Sequence, residues 1–149
     1  MNTLILGMGN PILADDGVGI KIVRKLKEDN PELEVVETSE AGIALLDFVV
    51  GYDKLIIIDS IKTEQGKPGE LYKLGLEDFK PDMGFSSSHG VDIATAVELG
   101  RRAGYKMPEY ISLYAVEIKD NSTFGEECTE EIEERIPFIA KQIIEEERI

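Results

Sequence analysis

The chain has 149 residues, 42% of them hydrophobic, which suits one domain with a full apolar core spanning residues 1–149 and argues against disorder. Thirty acidic residues against 16 basic ones leave a net charge of −14, which argues against nucleic acid as a partner, because phosphate binding needs concentrated Lys and Arg. The single cysteine, Cys128, excludes an intrachain disulfide and any CxxC metal or redox motif.

Residues 3–6 are a short apolar run ending at Gly7 and predict a buried strand. No basic leader or cleavage site precedes that run, and no segment is long enough to span a bilayer, so a cytoplasmic protein with no membrane partner is expected. A turn-rich stretch, Gly7-Met8-Gly9-Asn10-Pro11, follows. Val18, Ile22, Val23 and Leu26 recur at helical spacing over 18–26, with Asp15 and Asp16 placed to cap the free N–H groups at the helix start. Asn30-Pro31 stops that helix. Residues 33–36 predict a second strand, and 43–50 a helix after Gly42. Residues 54–58 are continuously aliphatic, as in a central strand buried on both faces, and Asp59 directly follows them.

Residues 70–74 predict another strand, 76–79 a helical turn before Pro81, and 82–88 a polar loop. Ile93, Ala94 and Val97 give 90–102 helical spacing, and 110–116 read as the last strand. Residues 126–146 form a charged amphipathic helix with Pro137 inside it as a potential kink. Alternating strands and helices predict an α/β sheet covered on both faces, with its functional residues beyond the carboxyl ends of parallel strands. Asp15, Asp16, Asp59 and His89 could therefore meet on one edge.

The glycines of the opening loop do not make a dinucleotide site. Ile12 stands where the third glycine would be needed, and Asp15 and Asp16 would repel a phosphate. Taken singly, the other candidates have plain structural explanations. An Asp–Asp pair caps helices, Asp59 could bond to Ser60 or Thr63, and a lone His89 is usually a surface residue. Ser86, Ser87 and Ser88 lie too close to His89 for triad geometry, and no nucleophile elbow is present. Cys128 lies among Glu126, Glu127, Glu130 and Glu131, which disfavour a thiolate. Two aspartates and one histidine, however, make a three-ligand set suited to divalent transition metals, with positions left for water or substrate.

Together the segments resemble the hydrogenase maturation protease family. Gly7-Met8-Gly9-Asn10 followed by Asp15-Asp16-Gly17-Val18-Gly19 is similar to that family's opening signature. Asp59 after its aliphatic strand resembles the second acidic site, and Ser88-His89-Gly90 the histidine site; the likeness runs from about residue 1 to 116. The resemblance implies a three-layer α/β/α fold of the phosphorylase/hydrolase-like type, with a mostly parallel five-stranded sheet. It assigns Asp16, Asp59 and His89 as the metal-binding and catalytic residues; Asp15, beside them, is expected to orient a ligand. It implies an endopeptidase that removes the C-terminal extension of a nickel-loaded nickel–iron hydrogenase large-subunit precursor. The nickel is supplied by the substrate, another divalent metal being able to stand in its place, and the enzyme is expected to be a monomer. Two segments depart from the family. Glu37 and Gly42 stand where an Asp-Gly-Gly-Thr-like stretch is common, and Glu117 is followed by Ile118 rather than proline. The alternatives are a non-enzymatic metal-binding or chaperone-like factor on the same fold, and an unrelated metallo-peptidase acting on ordinary peptides.

Overall fold

The computed structural model describes residues 1–40, 42–75 and 89–149. Five strands, β1 (Thr3–Met8), β2 (Val35–Thr38), β3 (Lys54–Ile61), β4 (Leu71–Leu74) and β5 (Tyr110–Glu117), form one sheet in the order β2-β1-β3-β5-β4. The first three and β5 run parallel, and only β4 is antiparallel, at the edge. Helices α1 (Val18–Asp29), α2 (Leu46–Val49), α3 (His89–Arg102) and α4 (Glu130–Glu147) cover the sheet.

Alternation along β3 explains the three layers. Ile56 and Ile58 face a core shared with Ile22 and Val23 of α1 and Ile132, Ile136 and Ile139 of α4. Leu55 and Ile57 face a second core with Val49 of α2 and Ile93 and Val97 of α3. Residues 55–58 are fully shielded from solvent, which is why this stretch carries no polar residue. Burying each such side chain stabilises the fold by about 1.5–3 kcal/mol, so β3 is the spine of both cores.

The predicted sheet and layering hold, with shifted boundaries. β3 does not stop before Asp59: its ladder with β5 continues through Asp59–Ala115 and Ser60–Val116 to Ile61–Glu117. β2 starts two residues later than its apolar run suggested, and α4 begins at Glu130 rather than residue 126. Residues 43–50 divide between a 3-10 turn, Gly42–Leu45, and α2. The helical turn expected at 76–79 and the loop at 82–88 lie outside the described residues. At the other end of α4, Glu147 is buried against Tyr114 and bonded to Lys54 at 2.8 Å.

β1 leads through α1 to β2 on one side, while the chain continues to β3 on the other. The carboxyl ends of β1 and β3 therefore flank the topological switch point, where open α/β sheets hold their ligands. The β1–β3 ladder ends at Gly7–Ile58, one residue below Asp59.

Candidate active site

The turn after β1 is shaped by backbone crowding. Gly9 has φ +146°, and a Cβ there would lie 2.1 Å from the Asp16 carbonyl oxygen. A Cβ on Gly19 would lie 2.3 Å from the Ile58 carbonyl oxygen, so α1 can sit down on β3 only with glycine in its first turn. The motif's glycines thus serve close approach of backbone to backbone.

That turn ends in a 3-10 segment, Ala14–Gly17, which delivers the two aspartates differently. Among the described residues neither is seen to cap α1, whose N-cap position is Gly17 with no side-chain cap bond. Asp15 is wholly buried and turned away from its own helix. It accepts the N–H groups of Lys119 at 3.1 Å, Asp120 at 2.9 Å and Thr129 at 2.7 Å, and also the Thr129 hydroxyl. Thr129 occupies the N-cap position of α4 but makes no side-chain cap there, its hydroxyl being directed to Asp15. The main chain reinforces this clamp: Ala14 N–H donates to Gly125 and Asp15 N–H to Asp120. The expected role of Asp15 as an orienter of a neighbouring ligand gives way to that of an anchor for residues 119–129.

Asp16 turns the opposite way and is partly exposed. Its Oδ2 accepts the Asn10 N–H at 2.9 Å and its Oδ1 the Ser60 hydroxyl at 3.1 Å. Asp59 is 4% exposed, and its Oδ1 accepts the Ser60 N–H at 2.8 Å. The two predicted aspartates, 43 positions apart, thus converge on a single residue. By strand alternation Asp59 shares the face of Leu55 and Ile57, the face on which α3 packs. His89 is the first residue of α3, not a loop residue, and its side chain lies outside the described residues. Among the described residues no three of His, Cys, Asp or Glu form a metal-sized group.

Asp16 takes one donor on each oxygen among the described residues, and a carboxylate oxygen has two lone pairs. Acceptor capacity for a cation therefore remains, and carboxylate plus imidazole suits divalent nickel or zinc. A cavity of about 530 Å³ adjoins the clamp, lined by Ala14, Asp120, Phe124, Glu126, Cys128 and Thr129 among others. It includes neither Asp16 nor Asp59, which places it apart from the candidate centre. Burial, opposed by Lys21 and reinforced by Asp15 and Glu133, pushes the Cys128 thiol up to about 12. The thiol is therefore inert as expected, but desolvation is the principal cause, ahead of its acidic neighbours.

Two other acidic residues are accounted for. Glu117 is 1% exposed and accepts the Thr63 N–H at 2.7 Å, the Thr63 hydroxyl at 2.6 Å and the Tyr72 hydroxyl at 3.1 Å. It organises the turn after β3. Burial, with Glu70 and Glu117 beside it, raises the Tyr72 phenol, which stays protonated. Glu37 lies within β2 and forms a two-pronged pair with Arg24 of α1 at 2.8 and 2.9 Å. Ser60 was visible in the sequence only as a possible partner of Asp59; its link to Asp16 needed the fold.

A family model described as hydrogenase maturation protease matches residues 20–146. The chain belongs to the hydrogenase maturation protease family. The match begins just after the opening signature and continues well past residue 116, through α4. Hydrogenase 2 maturation protease of Escherichia coli is 35% identical over 74 residues, covering 48% of this chain and 45% of that protein. A putative hydrogenase maturation protease of Methanocaldococcus jannaschii is 31% identical over 96 residues, covering 61% of this chain and 62% of that protein. The matches thus span about half to three-fifths of these relatives' own length. Similarity of fold is more complete. A hydrogenase-maturating endopeptidase from E. coli superposes with a TM-score of 0.80 at 26% identity, over 99% of this family member and 93% of that chain. A [NiFe] hydrogenase maturation protease from Thermococcus kodakarensis gives 0.76 at 26% identity, over 97% and 98%.

Proposed function

We propose that this protein is an endopeptidase that removes the C-terminal extension of a nickel-loaded nickel–iron hydrogenase large-subunit precursor. The observation that carries the proposal is the convergence of Asp16 and Asp59 on Ser60 at the sheet's switch point, in a fold shared with hydrogenase-maturating endopeptidases. His89, opening a helix on the face Asp59 shares, completes the proposed set.

In this reading nickel arrives with the precursor and belongs to the substrate. Asp16, Asp59 and His89 hold it and thereby dock the folded precursor with its scissile bond at the switch point. Nickel's contribution to the chemistry is Lewis-acid polarisation of the scissile carbonyl. Water supplies hydroxide to the carbonyl carbon and a proton to the departing amine as the C–N bond breaks. The chain's own part is orientation: Asn10 and Ser60 fix Asp16, and the Ser60 N–H fixes one oxygen of Asp59. Another divalent ion of similar size could occupy the same donors. The cytoplasm is the proposed setting, consistent with the absence, among the described residues, of a helix long and apolar enough to cross a membrane.

Incubation with purified large-subunit precursor, with and without nickel, followed by mass spectrometry of the products, tests the proposal. Loss of a C-terminal fragment from the nickel-loaded form alone is expected. Tight binding without any shortening would replace the protease by a chaperone-like factor. Cleavage of nickel-free precursor would remove nickel from the gate.

A further inference from the structure

We infer that Ser60 is a positioning residue that couples the two carboxylates of the site, its hydroxyl setting Asp16 and its N–H setting Asp59. The inference deepens the nickel-holding role proposed above and rests on it.

Strand alternation would place another aliphatic residue at position 60. Ile56 and Ile58 precede it on the face packed against α1 and α4, and both are fully buried. Ser60 is also buried, at 3% exposure, and a buried hydroxyl is costly unless it finds a partner. Its partner is Asp16 Oδ1 at 3.1 Å, 44 residues away in sequence. The main chain of the same residue turns to the other carboxylate, with Ser60 N–H donating to Asp59 Oδ1 at 2.8 Å. Beyond Gly7–Ile58 the β1–β3 ladder has ended, so at this level Ser60 supplies a bridge from β3 to the turn that follows β1.

The hydroxyl has a specific consequence for Asp16. With Asn10 N–H on Oδ2 and Ser60 Oγ on Oδ1, the carboxylate is gripped at both oxygens and its plane cannot turn freely. Among the described residues each oxygen keeps a lone pair, and the two donors determine where it points. Without the hydroxyl, Asn10 is the only holder of Asp16 left among the described residues, and the carboxylate must give up rotational freedom when it takes a cation. Loss of such an outer partner typically weakens metal affinity by about 10- to 100-fold.

Titration of the full chain with Ni²⁺ alone, by calorimetry, tests this in wild type, S60A, S60T and D16A, with circular dichroism verifying the fold of each. Weaker nickel binding by S60A, by about tenfold or more, with S60T restored to near the wild-type value, is the expected result. Retained wild-type affinity in S60A, while D16A loses binding, overturns the role of Ser60 and leaves the nickel site standing. Equal weakening in folded S60A and S60T also overturns it, because the size of the side chain, and not its hydroxyl, would then matter. Failure of wild type to bind Ni²⁺ at all removes the nickel-holding set and the role of Ser60 with it, while the protease reading is judged separately by cleavage of the precursor.

Discussion

Two carboxylates leave the same turn by different routes. Asp15 is fully buried, with donors on both oxygens drawn from residues 119–129, whereas Asp16 is partly exposed and held by Asn10 and Ser60. A carboxylate encircled by donors holds structure together and has little left to offer a ligand. One gripped at each oxygen by a single donor is oriented and still able to accept. Position in the sequence does not separate these roles; the number and direction of the donors do.

The largest effect expected from breaking this contrast is on activity. D16A should lower precursor processing by about two to three orders of magnitude or more, as removal of a metal-holding carboxylate does. Its melting temperature should fall less than that of D15A, because only the Asn10 N–H and the Ser60 hydroxyl lose an acceptor among the described residues. Full processing by D16A would transfer the chemistry away from this turn. D15A should behave in the reverse sense. Stranding several part-buried N–H groups around a wholly buried side chain is expected to cost about 3–5 kcal/mol of stability, measurable by urea denaturation. Whatever D15A remains folded should bind Ni²⁺ with near wild-type affinity; loss of binding without loss of stability would return Asp15 to the site.

Glu147 extends the comparison to a carboxylate wholly outside the site. Burial works to raise its pKa, but hydrogen bonds from Lys54 and Tyr114 and the charges of Lys54 and Lys73 outweigh it, so the group titrates below its ordinary 4.5. A pKa depressed by folding contributes stability that is present above the unfolded value and is lost as pH falls through the folded one. E147Q should therefore cost about 2–3 kcal/mol at neutral pH. The gap from wild type should narrow as the pH is taken below the ordinary carboxylate range, which thermal melts across pH 3–7 would follow (roughly the span in which a carboxylate titrates). An unchanging gap would mean that packing, not charge, carries the contribution. The smallest effect belongs to the exposed Arg24–Glu37 pair, with side chains 57% and 36% exposed. E37A should alter stability by less than about 1 kcal/mol. A larger loss would show that the pair is more than a surface tie between α1 and β2.

The apolar runs made the sheet legible because a strand covered on both faces must be aliphatic without interruption, as 55–58 are. Asp59 was legible for a related reason, since a carboxylate at the end of such a run marks the sheet's carboxyl edge, whereas Asp16 stood out by its place in the opening signature. The same cue misplaced the end of β3. Asp59 and Ser60 look like a strand's exit, yet pairing with β5 carries the backbone on to Ile61. The role of Asp15 could not be read locally. An Asp-Asp pair before a helix looks like a cap, and only the fold brings Lys119, Asp120 and Thr129 to one of the two. Residues 126–129 read as helix from their charge, but Thr129 is committed to Asp15 and α4 begins after it.

The clamp also dictates an order of events during synthesis. Asn10, which holds Asp16, lies six residues from it, while the donors of Asp15 lie 104 to 114 residues farther along. Contacts of such long span close late, because the intervening chain must first be gathered in. The turn after β1 leaves the ribosome well before Thr129, yet its Asp15 cannot be satisfied until that residue has followed. A chain interrupted before that residue carries the opening motif intact and lacks the anchor that fixes it, so a part of the site made early is among the last to be secured.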